Sequence, residues 1–161
     1  MIAWYVGISA VVVWAVFRDP RIDYRYVAAG SLAPLVVDGV TTGERAYAHS
    51  LVAAAGTLVV VVLATAGRRP ARNRLVMLPI GMLLHLALDG MWEAPDTFWW
   101  PFLAGDVRGG SVVPTLVGAA WREAVGLVAL AWFAARVGLT APGGRERCRL
   151  LVRTGHVEVG P

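Results

Sequence analysis

The chain has 161 residues, 57% hydrophobic and 16% charged, with a mean hydropathy of +0.60. Soluble domains average about 45–50% apolar and about a quarter charged residues, so this composition excludes a disordered chain or a coiled coil and points to a membrane protein. The net charge is +4, every one of the 15 basic residues is arginine, and the single Cys148 excludes a disulfide framework or a cysteine metal site.

Five apolar stretches follow one another, separated by short charged segments: residues 2–17, 26–40, 47–66, 75–89 and 112–137. A helix needs about 20 apolar residues to cross roughly 30 Å of hydrocarbon. The third and fifth stretches meet that length. The other three are short, and the second, interrupted by Gly30, Pro34 and Asp38, is the weakest, either spanning or re-entrant. The expected fold is all-α, a polytopic membrane bundle of about five spans over residues 1–139. A flexible cytoplasmic tail is expected over residues 140–161. Pro34, Pro79 and Pro114 are expected to kink their spans.

The arginines set the expected orientation. Arg18, Arg21 and Arg25 follow the first stretch; Arg68, Arg69, Arg72 and Arg74 follow the third; Arg136, Arg145, Arg147, Arg149 and Arg153 follow the fifth. The positive-inside rule places these groups in the cytoplasm, which gives an N-out, C-in threading. The other side collects Asp38, Glu44, Asp89, Glu93, Asp96 and Asp106 against Arg45 and Arg108. The basic balance is therefore an asymmetry across a membrane, and no nucleic-acid partner is expected.

That threading brings Asp38, His49, His85 and Asp89 to one depth, from three segments. His85 and Asp89 are four apart and share a helix face. Imidazole nitrogen and carboxylate oxygen are the donors that zinc favours, with an open position where the ion is catalytic. Singly, each residue also reads as an interfacial packing residue, a helix cap or a solvated loop group. Together, ionisable residues in apolar segments point to a functional site. The expected ligands of a divalent metal, Zn2+ by donor chemistry, are Asp38, His49, His85 and Asp89.

The stretch Glu44-Arg45-Ala46-Tyr47-Ala48-His49-Ser50 resembles the Arg-x3-His-Ser signature of the bacterial inner-membrane metal-dependent hydrolase family, the LexA-binding, inner-membrane-associated hydrolases. Residues 81–89 are similar to its second signature, a His-x3-Asp in an apolar helix. Trp99-Trp100-Pro101-Phe102 looks like its Pro-Phe element. Residues 34–38 resemble its Pro-Asp-x-x-Asp turn, with Leu35 in place of the first Asp, and the N-terminal His that many members carry is absent. The resemblance covers roughly residues 20–135 and implies a zinc-type hydrolase.

The expected function is a membrane-embedded metal-dependent hydrolase acting on a phosphoester or lipid-linked substrate at the extracytoplasmic face, with membrane lipids as its surroundings. Arg45, one turn before His49, either holds an anionic substrate group or anchors at the headgroups. Glu93 is either a general base or a solvated loop group. Glu123 either accepts from a ligand histidine or marks the edge of the fifth span. The alternatives are a non-enzymatic membrane protein that binds or conducts a divalent metal, and a partner-binding membrane subunit. Oligomeric state is not legible in the sequence.

Overall fold

The computed structural model describes residues 1–103, 105, 107, 110–111 and 115–157. Asp106, Arg108 and Pro114 lie outside the described residues. The described chain is helical: α1 (Ile2–Phe17), α2 (Tyr24–Thr41), α3 (Leu51–Ala64), α4 (Arg69–Leu75), α5 (Met77–Leu88), α6 (Pro95–Phe98), α7 (Leu116–Arg136) and α8 (Gly144–Thr154). Short 3-10 turns occur at Tyr47–His49 and Met91–Glu93.

Helix lengths correct the expectation of about five spans. At 1.5 Å per residue, the 21-residue α7 reaches about 31 Å, and it is the one described helix long and apolar enough to cross a bilayer. α1 and α3 are apolar but have 16 and 14 residues, and α5 has 12. The shortening has local causes. The 47–66 stretch is cut by the turn Tyr47–His49 before Ser50 caps α3 through its side chain and the Ala53 amide. The 75–89 stretch parts from α4 at Val76, and Pro79 removes an amide from the first turn of α5. By contrast, α2 is one continuous helix through Pro34.

Two close crossings organise the bundle. α1 meets α7 where Gly7 and Gly126 face each other, and a Cβ on either would collide with the opposing backbone. α2 meets α5 at Gly30 and Gly81 in the same way: the first abuts the Leu78 carbonyl and the second lies on Val27 and Ser31. Small residues at helix contacts are how apolar helices approach closely when burial alone does not drive them together.

The apolar residues left over face outward. On α7 only Gly126 and Phe133 are buried, and Leu116, Val117 and Val128 are 90%, 81% and 69% exposed. On α3 only Ala54 is buried. A soluble protein rarely shows so continuous an apolar surface, and such helices suit lipid contact.

The connectivity separates charge into two ends. α1 begins, α2 ends, α5 ends and α7 begins at one end, where Asp38, His49, His85 and Asp89 lie. The opposite end holds 12 of the 15 arginines, in the segments after α1, α3 and α7. There the segment expected to be a flexible tail carries α8 and returns to the bundle. The Gly155 carbonyl accepts from the Tyr24 amide at 2.8 Å, Arg25 donates to the carbonyls of Arg153 (2.7 Å) and Thr154 (2.9 Å), and Val157 is buried with Ile22 and Tyr24.

Candidate metal centre

Asp38, in the last turn of α2, is 1% exposed and serves as an organiser of the following loop. Its carboxylate accepts from the amides of Ala46 (2.7 Å), Ala48 (3.1 Å) and His49 (3.2 Å), and its Oδ2 lies 2.6 Å from His49 Nδ1. These contacts wrap the 46–49 turn onto the end of α2. They also assign the proton of His49 to Nδ1 and leave Nε2 with a lone pair.

His85 is held in the matching way. Gly81, one turn earlier on α5, allows the close approach to α2, and His85 therefore meets the backbone of that helix. Its Nδ1 lies 2.6 Å from the Ser31 carbonyl, within the turn before Pro34. The carbonyl can only accept, so the His85 proton is also on Nδ1. The two Nε2 atoms face each other across 3.2 Å, and both rings are buried. Tyr5 of α1 stacks on the His85 ring with centroids 3.9 Å apart.

Asp89, the C-cap of α5, completes the cluster. Its Oδ2 is 3.9 Å from His49 Nε2. His49, His85 and Asp89 offer ligand atoms that all lie within 4.8 Å of one another. Asp89 is also the focus of three other side chains. Tyr5 donates to Oδ1 at 2.8 Å, Arg45 Nη2 donates to Oδ1 at 3.0 Å, and Arg45 Nε lies 2.6 Å from Oδ2 as an ion pair without hydrogen-bond alignment. Arg122 Nη1 lies 3.7 Å from Oδ1, buried and without a hydrogen-bond partner among the described residues, and its guanidinium sits over the Trp4 and Trp121 rings.

The four residues expected as ligands are thus brought together, but Asp38 faces the far nitrogen of His49 and not the gap between the two Nε2 atoms. Three donors converge on that gap: two imidazole nitrogens and one carboxylate oxygen. This set suits a divalent ion of the zinc type, and the outer hydrogen bonds from Nδ1 to a carboxylate and to a carbonyl are those that orient metal-binding histidines.

The expected catalytic residues divide. Arg45 joins the cluster. Glu93 is exposed on the turn Met91–Glu93 and is not among the residues gathered there. Glu123 accepts from the Ala3 amide at 3.1 Å and lies 3.3 Å from the Met1 amine, so it serves the first turn of α1 and does not reach a histidine. The α7 crossing explains this: Gly126 seats α7 against Ala3 and Trp4, and the turn before it presents Glu123 to the start of α1 and Arg122 to Asp89. Two participants escaped the sequence reading. Tyr5 sits in an uninterrupted apolar stretch with no signal beyond its hydroxyl. Arg122 is a charge inside an apolar segment, and the sequence does not give the direction in which it points.

A family model described as YdjM inner membrane protein matches residues 2–144. No curated protein and no solved structure was found to match the chain.

Proposed function

The chain belongs to the YdjM inner membrane protein family, and on that premise we propose that it is a membrane-embedded, metal-dependent hydrolase of phosphoesters. The observation that carries this reading is the pair of buried Nε2 atoms 3.2 Å apart, each fixed with its lone pair inward by an acceptor behind Nδ1. With both protons on Nδ1, two inward lone pairs repel unless a shared proton or a metal ion lies between them. His49, His85 and Asp89 would hold that ion, with Asp38 as the residue that orients His49.

A divalent ion there supplies Lewis acidity towards a phosphoryl oxygen and acidifies water near neutral pH. The protein's own residues supply the rest. Arg45 and Arg122 bring two guanidiniums to one carboxylate, and each has a buried nitrogen without an aligned acceptor. Such groups match the charge and geometry of phosphate oxygens. Tyr5 and Arg45 hold Asp89 in place as the substrate arrives. Lipid-linked substrates fit the apolar flanks of α3 and α7. The arginine-rich opposite end supports multi-pass insertion with the cluster on the extracytoplasmic side.

The test combines metal analysis with turnover. Purified protein is expected to carry about one zinc-type ion per chain and to cleave a phosphoester from a panel of phospholipids and soluble esters. His85→Ala is expected to lose both, and His156→Ala neither. Metal retained with no cleavage of any ester would favour a second reading, a non-catalytic divalent-ion site. The close pairing of Asp89 with Arg45 is the observation that supports that alternative. A preparation in which no metal binds would overturn both.

A further inference from the structure

At the end of the bundle opposite the histidines, a cleft of about 660 Å³ opens between the α1–α2 connection, α4 and the returning C-terminal segment. Its lining includes Arg21, Arg69, Asn73, Arg74 and His156. A second cavity of about 220 Å³ shares Arg21 and Asn73 as a common wall and is lined further by Asp19, Phe17, Ile22, Val76 and Met77. The first cavity is cationic and open. The second is also open, with Asp19 at its wall and the buried side chains of Ile22 and Met77 as its apolar part.

The arginines are not all committed to protein partners. Arg21 meets Asp19 at 2.9 Å, while Arg69 and Arg74 have no ion-pair partner among the described residues. Positive-inside topology accounts for arginines following a span. It does not account for their gathering, from two separate segments, around one cleft joined to a partly apolar pocket. A basic recess at the cytoplasmic boundary of a helix bundle is the form that recognises anionic lipid headgroups, and its size lies within the range of small-molecule sites, about 300–1,000 Å³.

We propose that this cleft binds the phosphate of an anionic phospholipid, with Arg69 and Arg74 on the headgroup and the glycerol and upper acyl chain entering the pocket floored by Phe17, Ile22 and Met77. The site lies outside the metal centre and does not depend on its activity. An anionic lipid there would tie together α1, α2, α4 and the C-terminal segment.

Native mass spectrometry of the detergent-purified full chain tests this, with phosphatidylglycerol and phosphatidylcholine as probes and inorganic phosphate as competitor. The wild-type chain is expected to retain phosphatidylglycerol in preference to phosphatidylcholine. Arg69→Gln/Arg74→Gln is expected to weaken phosphatidylglycerol binding roughly tenfold or more. Arg145→Gln/Arg149→Gln, which removes the same charge from exposed positions on α8 outside the cleft, should leave it nearly unchanged. Asn73→Trp, which crowds the shared wall without altering charge, should weaken it as well. A double variant with unchanged melting and gel filtration that still binds phosphatidylglycerol would overturn the proposal. So would equal losses in the two arginine pairs, which would mean diffuse surface charge. Inorganic phosphate displacing the lipid at matching concentration would assign the cleft to free phosphate and overturn the lipid source.

Discussion

The two ends of the bundle carry charge in opposite ways. At the candidate metal-centre end, Asp38, His49, His85 and Asp89 are buried, and both carboxylates and both Nδ1 atoms meet fixed partners. At the arginine end, Arg21 pairs with Asp19 at the surface, and Arg69 and Arg74 stand open. Burying a charged group is costly unless it is hydrogen-bonded and paired, so each buried group at the first end needs a dedicated partner. Exposed arginines impose no such requirement, because water and salt screen them. Charged side chains are therefore buried against dedicated partners at one end and left open to water and headgroups at the other.

Substitutions should separate the two ends by size of effect. Asp38→Ala removes the acceptor of three amides and one imidazole in a buried setting, and is expected to cost about 3–5 kcal/mol and to release the bound ion. Thermal unfolding in detergent together with metal content would show it; a change comparable to that of a surface variant would break the contrast. Gly81→Val drives a side chain into the α2 backbone, and overpacking of this kind costs about 1–3 kcal/mol. Because His85 lies one turn on, metal affinity should fall with stability, whereas a stability loss with normal metal uptake would detach the crossing from the site.

Tyr5→Phe keeps the ring on His85 and removes only the hydrogen bond to Asp89. It should cost about 1–2 kcal/mol and weaken metal binding by about tenfold, as loss of an outer hydrogen bond does. Isothermal titration with Zn2+ would measure this, and wild-type affinity would remove Tyr5 from the site.

At the other end, Asp23 is a buried exception, paired with the half-exposed Arg25. Burial pushes its carboxyl up, but hydrogen bonds from the Arg25 guanidinium and amide, with the Arg25 charge behind them, outweigh that and hold it below the usual carboxylate range. A group depressed in the folded state stabilises fully above its unfolded value, about pH 4, and loses that contribution as pH falls through the folded value. The melting-point difference between wild type and Asp23→Asn should therefore be largest above pH 4 and shrink below it. An offset constant with pH would contradict this. Arg21→Ala should leave the melting point unchanged, since its pair with Asp19 is exposed.

Much of the site was legible because it breaks the pattern around it. His85 and Asp89 stand out in an apolar helix at a spacing that fixes a shared face, and the Arg45–His49 spacing does the same. Other parts depend on how helices meet. The role of Asp38 behind His49 comes from three backbone amides that converge only when the 46–49 turn folds onto α2. Whether Arg122 or Glu123 faces the cluster depends on the rotation of α7 about the Gly7–Gly126 contact, which neither residue announces. The extent of the helices was overestimated for a related reason. Tyr47, Ala48, Leu75 and Val76 extend the apolar stretches, but the Ser50 cap starts α3 only at Leu51 and the α4–α5 break starts α5 only at Met77.

The central claim is that His49 and His85 hold one ion between their inward nitrogens. X-ray absorption at the zinc edge of the purified, zinc-loaded chain tests it most directly. Two imidazoles and at least one oxygen donor in the wild-type chain, with the bound-zinc signal lost in His49→Ala and in His85→Ala, is the result predicted here. Zinc that does not bind, or an imidazole shell unchanged in both variants, would contradict it.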